Sequence, residues 1–321
     1  MRTRPEDFRV KEALGFEPSG TGEHAFLQIR KRGENTGFVA DQLAKFAGVS
    51  SRDVSYAGLK DRHAVTTQWF SVWLPGKADP DWNAFESDSV SIVRAVRHSK
   101  KLKRGALSGN DFRLVVRDWE GDPNRTIGQM EKIKTDGVPN YFGPQRFGNE
   151  GRNVSKALEM FQGARVKRHQ RSLYLSAARS FLFNHILAFR VQAGNWNQAV
   201  SGDALIFNGS GKYFRTEQRD RDAIQRVNAG LIHPTGSLWG KGSSDLSSEA
   251  LEIENRVFNE YEQLMQGLFR SAVEISRRSL RVYAKDFTWA FSGERELELS
   301  FSLPAGSYAT SVLREIIDFK E

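Results

Sequence analysis

The chain has 321 residues, 39% of them hydrophobic and 27% charged, with no cysteine and a formal net charge of +8. This composition excludes wholesale disorder, disulfides and thiolate chemistry, and it holds apolar material for one large or two ordinary cores. No run approaches eighteen apolar residues and "MRTRPEDFRV" lacks the apolar core of a signal peptide, so a soluble, unexported, cytoplasmic protein is expected.

In chain order, "HAFLQIRK" (24–31) alternates and predicts a strand. "NTGFVADQLAKFAGVS" (35–50) predicts an amphipathic helix with Phe38, Leu43, Phe46 and Ala47 toward a core and Gly48 placed to end it. A short strand at 53–57, the loop Gly58-Leu59-Lys60-Asp61 and a strand over "TTQWFSVWL" (66–74) follow, with further strands at 90–97 and 111–119. Asp122-Pro123 marks a helix start. Few connections look like repeated βαβ units, so a mixed or antiparallel sheet with helices is expected rather than a doubly wound fold.

The texture changes after Gly137. Residues 172–194 form the longest helical pattern, with Leu173, Ala177, Phe181 and Ile186 among its apolar positions. "FNGSGKYF" and "HPTGSLWGKGSS" read as turns, and 248–278 as another helix. Strand character returns in "LRVYAKDFTWAF" and "RELELSFSLPAG", and "SYATSVLREIIDF" predicts a closing helix with Ser307 as its cap. Strand-rich ends around a helix-rich middle predict one domain interrupted by an insertion.

Two basic clusters stand out. "RAVRHSKKLKR" (94–104) holds Arg94, Arg97, Lys100, Lys101, Lys103 and Arg104, and "RVKRHQR" (165–171) holds Arg165, Lys167, Arg168 and Arg171. Such clusters attract a phosphate backbone, though a solvated basic face has the same composition. "GSLWGKGS" (236–243) is one residue short of a phosphate loop, and Lys241 is followed by Gly242 instead of a Ser or Thr. The six His residues are scattered and no G-x-S-x-G elbow is present, which disfavours a metal site and a serine hydrolase. Carboxylate chemistry without a metal or cofactor is the enzyme reading that remains. Asp61 suits it: Gly58 permits a tight turn, and Lys60 and Arg62 favour its ionised form. A K-D-R triplet is equally a solvated surface mixture, and the residues alone leave both readings open.

"YAGLKDRHAVTTQ" closely resembles the Asp-bearing motif of the TruD family of pseudouridine synthases, which convert a tRNA uridine to its C-glycoside isomer. "RPEDFRVKEALGFEPSGTGEH", "KLKRGALSGNDFRLVVR", "GVPNYFGPQRFG", "LSAARSFLFN", "GDAL" and "LPAGSYATSVLRE" resemble further family segments, so the likeness spans essentially the whole chain. It implies a pseudouridine synthase catalytic fold of α/β (α+β) class with a central mixed, largely antiparallel sheet. The catalytic domain would comprise 1–136 and 283–321, with a TRUD-type α/β domain inserted at 137–282.

The resemblance also implies site residues. Asp61 falls on the catalytic Asp, Phe8 on an aromatic near the target base, and Asn110 and Phe112 on a pair that orients the Asp and lines the pocket. Tyr308 stands where a Phe is usual, which retains a ring and adds a hydroxyl needing a partner. Arg2 aligns with a basic residue that pairs with the Asp. Lys60, Arg62, Lys100, Lys101, Lys103, Arg104 and Arg168 are the expected RNA-backbone contacts, with the 94–104 and 165–171 clusters lining one cleft from opposite sides. The implied substrate is uridine 13 of tRNA, for a monomer with no cofactor, metal or membrane partner. The alternatives are a synthase acting on another RNA class and a non-catalytic RNA-binding protein of the same fold.

Overall fold

A computed structural model describes residues 3–216, 220–293 and 295–318. In chain order the elements begin with β1 (Phe8–Ala13), β2 (His24–Arg32), α1 (Thr36–Phe46), β3 (Val54–Tyr56), β4 (Val65–Trp73), β5 (Val90–His98), β6 (Gly109–Val116) and α2 (Pro123–Asp136). Then come β7 (Val138–Pro139), α3 (Arg152–Phe161), α4 (Arg168–Gln192), β8 (Ala204–Phe207), β9 (Tyr213–Arg215), α5 (Arg221–Asn228) and β10 (Ile232–Leu238). The last are α6 (Ser248–Glu260), α7 (Glu262–Arg270), β11 (Ser276–Ser279), β12 (Arg281–Val282), β13 (Lys285–Ser292), β14 (Glu296–Pro304) and α8 (Ala309–Leu313). They fall into two compact units. The first holds the chain up to Ile127 and Ala284–Gly306; the second holds Gly128–Tyr283 and Ser307–Ile317.

The first unit is built on an eight-stranded sheet of order β13-β14-β6-β1-β4-β2-β5, with β3 pairing β4 off this path. Of these pairings, β1 with β4 is parallel and the rest are antiparallel, so the sheet is mixed and largely antiparallel, as the sequence led us to expect. β1 lies at its centre and was not among the strands expected from periodicity. Phe8-Arg9-Val10-Lys11 alternates, but the strand is only six residues long and Glu12 puts a charge at its third inward position.

Helix α1 covers one sheet face. Its buried stripe is Thr36, Val39, Ala40, Leu43 and Ala44, at i, i+3, i+4, i+7 and i+8, packed on Leu27, Ile29, Phe70 and Val72. Each large side chain buried there contributes roughly 1.5–3 kcal/mol of transfer free energy. Phe38 and Phe46 were expected in this core but are 50% and 36% exposed, because Ala40 and Ala44 take the positions nearest the sheet. Gly48, at φ +61°, ends the turn after the helix as anticipated.

The second unit packs α4 against α3, α6 and α7 and against a four-stranded antiparallel sheet of order β11-β10-β8-β9. Four expectations are corrected here. "HPTGSL" is no turn but most of the interior strand β10, where Gly236 leaves room for the ring of Phe183; an added Cβ would come within 3.1 Å of it. The helix expected over 248–278 breaks at Tyr261 (φ −123°, ψ 38°) into α6 and α7 and gives way to β11. The closing helix shrinks to α8, which Ser307 does not cap: its hydroxyl donates to Asn140 Oδ1 at 3.3 Å instead. Residues 307–317, expected with the first unit, group with the second.

Candidate active site

One face of the first sheet is set by strand alternation. Phe8, Val10 and Glu12 on β1 point to the side that Asn110, Phe112 and Leu114 occupy on β6. A row of directly opposed residues crosses five strands: Phe301, Phe112, Val10, Thr66 and Lys31. In the neighbouring row Glu12 faces Asn110 and Leu303. A charged residue at an inward strand position is costly unless paired, so Glu12 and Lys31, 1% and 0% exposed, require partners.

The loop between β3 and β4 supplies them. Gln68 donates through Nε2 to the carbonyl of Gly58 at 3.2 Å, and its Oε1 accepts from Thr36 Oγ1 at 2.9 Å. The Lys60 N–H donates to the same Thr36 hydroxyl at 3.0 Å, and the Lys60 ammonium lies 3.7 Å from Glu12 Oε2. Lys31 Nζ donates to the carbonyls of Glu34 at 2.6 Å and Asp61 at 3.1 Å. Arg62 Nε donates to the Gly33 carbonyl at 3.2 Å. Thus side chains from β2, α1 and β4 hold backbone groups at Gly58, Lys60 and Asp61, while β1 holds the Lys60 side chain. The half-buried Asp61 carboxylate accepts the His63 N–H at Oδ1 (3.2 Å), which fixes its rotamer over the turn.

This arrangement corrects the expected role of Lys60. Its side chain is 9% exposed and ion-paired with Glu12, so it anchors the loop and is not displayed to an RNA backbone. Burial lowers its pKa, against the field of Glu12, and burial raises that of Glu12, against Lys60. Burial likewise pushes Lys31 down from 10.5 to about 8, although Asp61 and Glu34 favour its charged form. Unfolded, Lys31 keeps its proton to about pH 10.5, whereas folded it loses it near 8. Between those values the unfolded chain holds the extra proton, so stability from this site rises with pH. Urea unfolding should show the wild-type minus Lys31→Met free-energy difference rising by about 2 kcal/mol between about pH 8 and 9.5. A difference that falls over this window would contradict the burial of that charge.

The rings of Phe8 and Phe112 meet edge-on at 6.2 Å, and Phe112 stacks on Phe301 at 5.4 Å. At 7% and 8% exposure they form a packed floor and not an open platform. Three buried oxygens on this face, Glu12 Oε1, Asn110 Oδ1 and Thr66 Oγ1, have no hydrogen-bond partner among the described residues. The structure therefore brings Asp61, Phe8, Asn110 and Phe112 onto one sheet face. Tyr308 belongs to the second unit, where its hydroxyl accepts from Arg146 Nε at 3.1 Å, which supplies the partner its extra oxygen needed. Arg2 lies outside the described residues.

The first basic cluster divides in two. Arg94 and Arg97, on β5, are paired with Glu17 and Asp79 at 3.5 and 3.1 Å. Lys100, Lys101, Lys103 and Arg104, in the following loop, form no ion pair among the described residues. Lys101, Lys103 and Arg104 line a cavity of about 340 Å³ with Val54–Tyr56, and the Arg104 guanidinium sits 4.7 Å from the Tyr56 ring centroid. In the second unit Arg168 opens α4, with Arg165, Lys167 and Arg171 exposed around it. Cations gathered at the positive end of a helix dipole repel one another and the dipole, an arrangement that an anion relieves. Sequence reasoning missed Glu12, Lys31, Thr36 and Gln68. The available signal was Glu12 and Lys31 at inward positions of alternating strands.

A unit that presents a carboxylate on a loop pinned by its sheet, and that also carries the basic loop 100–104, without an ion pair among the described residues, is equipped for carboxylate chemistry on a polyanion. The family model described as tRNA pseudouridine synthase D (TruD) matches residues 1–158 and 149–316. The tRNA pseudouridine synthase D of Methylococcus capsulatus is 54% identical over 321 residues, covering 99% of this chain and 91% of the relative. That of Nitrosococcus oceani is 47% identical, covering 100% and 91%. The crystal structure of a putative tRNA pseudouridine synthase D from Methanosarcina mazei superposes with a TM-score of 0.75 at 25% identity, over 100% of this chain and 93% of that one. The chain belongs to the TruD family of tRNA pseudouridine synthases.

Proposed function

We propose that this protein isomerises uridine 13 of tRNA to pseudouridine, with Asp61 as the catalytic carboxylate. The observation that carries this reading is the Asp61 loop, held at Gly58, Lys60 and Asp61 by buried polar side chains, in a chain that belongs to the family over nearly its full length. Pinning a loop on a sheet is how a reacting group is held in productive geometry.

The reaction breaks the N1–C1′ bond of uridine and forms a C5–C1′ bond; the C5 proton departs and N1 takes one up. The base must leave its stack to rotate, so the nucleotide is flipped into the site. An ionised Asp61 serves either by attacking C1′ or by removing a ribose proton as the base departs, and both routes return the carboxylate unchanged. Phe8 and Phe112 form the apolar floor, and the partnerless oxygen of Asn110 is a candidate to accept a hydrogen bond from the base or ribose. Isomerisation requires no redox cofactor or metal. We place the protein in the cytoplasm as a monomer, in keeping with a cysteine-free chain acting on tRNA.

Tritium release from tRNA labelled at uridine C5 tests the activity, because the C5 hydrogen is lost as the new bond matures. Release proportional to enzyme turnover is expected, and none from any tRNA would refute the reading. The 100–104 loop is assigned to the RNA backbone, as is Arg168 on the other unit. Neutralising Lys100, Lys101 and Lys103 together should weaken tRNA binding and reduce the slope of log K against log[salt] by about two to three units. An unchanged slope in filter binding would remove that loop from the interface.

A further inference from the structure

We propose that Arg146 and Arg278, together with the Tyr308 hydroxyl, form a phosphate-binding subsite that takes a phosphodiester of the RNA substrate; the identity of this ligand rests on the function proposed above. The site is built on the segment "NYFGPQRFG" (140–148). Asn184 of α4 clamps it, accepting the Phe142 N–H at 2.9 Å and donating to the Phe142 carbonyl at 3.0 Å. Gly143 lies so close to the Tyr308 ring that an added Cβ would come within 2.8 Å of Cδ1. Arg146 spans the segment, donating through Nε to the Tyr308 hydroxyl at 3.1 Å and through Nη1 to Ser176 Oγ at 2.8 Å. Arg278 lies 4.1 Å from the centroid of Phe142 and donates through Nη2 to Asn140 Oδ1 at 2.6 Å.

Every one of these partners is neutral. Among the described residues neither guanidinium meets a carboxylate, whereas in the same unit Arg277 pairs with Glu254 at 2.8 Å and Arg190 with Asp203 at 3.2 Å; Arg281, also buried, is held instead by His233 and the carbonyls of Val227 and Ile232. Burial pushes Arg278 down to about 10, against the favourable field of Tyr308 and with the like charge of Arg146. Two positive forks brought together without an anion are unfavourable in the free protein, and a bound anion reverses that. Arg146 Nη2 and Arg278 Nη1 have no hydrogen-bond partner among the described residues, and the Tyr308 oxygen, already an acceptor, retains its own proton to donate. Both guanidinium groups lie over the Phe142 ring, at 5.2 and 4.1 Å from its centroid, and the Tyr308 ring meets the same ring at 6.0 Å, so three donors gathered around one side chain can serve the non-bridging oxygens of a phosphate. Ser176 lies eight residues along α4 from Arg168, about 12 Å, so a phosphate held here continues the basic track at the start of that helix.

The test is filter binding of unmodified tRNA across a salt series, with thermal melts to confirm folding. Arg146→Gln should weaken binding about 10-fold and lower the salt slope by about one. Tyr308→Phe should weaken binding about threefold and leave the slope unchanged. A folded Arg146→Gln protein with the wild-type slope overturns the subsite. Should that variant not fold, Arg146→Lys carries the test: charge is kept and the fork lost, so affinity falls severalfold at constant slope, and wild-type affinity overturns the proposal. A melt raised by inorganic phosphate, with tRNA binding indifferent to Arg146→Gln, would mean a small-anion site and overturn the RNA assignment. Tritium release by the wild type separates the two readings. An active wild type with an unchanged Arg146→Gln slope sinks the subsite alone. An inactive wild type whose Arg146→Gln variant still loses affinity and slope sinks the activity alone.

Discussion

Asp61→Asn is expected to lower the single-turnover rate of pseudouridine formation by about 10³-fold or more, with tRNA affinity within about twofold of wild type. The substitution is nearly isosteric, and the Asn Oδ1 still accepts the His63 N–H. The groups that hold the loop are the backbone carbonyls of Gly58 and Asp61 and the N–H of Lys60, none of which changes. What is lost is the negative charge, and with it both the nucleophile and the base. Rapid-quench tritium release with filter binding on the same preparation separates chemistry from binding. A variant that keeps more than about a tenth of the rate would show that Asp61 is not the reacting group.

The second large effect concerns the support beneath that loop. Glu12→Ala is expected to destabilise the first unit by about 3–5 kcal/mol, because it leaves the Lys60 ammonium, 9% exposed, without its anion. It also removes the acceptor of the Trp69 N–H, which donates to Glu12 Oε2 at 3.2 Å. The pair is held against desolvation of both members, so breaking it costs more than its formation contributes. Glu12→Gln keeps an acceptor for Trp69 and should cost less. Glu12→Ala combined with Lys60→Met should recover part of the loss, the coupling expected of residues in direct contact. Denaturant unfolding measures all three. A Glu12→Ala penalty under about 1 kcal/mol would mean the pair does not anchor the loop, and kcat should then also be insensitive to it.

The strands β2, β4 and β5 were legible as short apolar, β-branched and aromatic runs bounded by turn residues, although β2 and β4 are buried on both faces over most of their length. The central strand β1 was missed although Phe8-Arg9-Val10-Lys11 alternates, because it is only six residues long and puts a charge, Glu12, at its third inward position. Pairing between strands distant in sequence, such as β1 with β4 and β6 with β14, is fixed by tertiary packing and leaves no local signal. "HPTGSL" misled because Pro and Gly ordinarily mark turns; here Gly236 makes way for Phe183, and Pro234 sits within an interior strand. Asp61, Asn110 and Phe112 were found by resemblance to a family motif, while spacing alone left Asp61 an ordinary charge. Lys60 was misread because a lysine beside a catalytic motif looks like an RNA contact until its buried partner, 48 residues earlier in the chain, is known.

Mapping the modification on an unmodified tRNA transcript by carbodiimide-dependent primer extension tests the central claim most directly. One stop at uridine 13 after treatment with the wild-type protein, absent after treatment with Asp61→Asn, is the predicted result. No stop with the wild-type protein, or the same stop with Asp61→Asn, would contradict it.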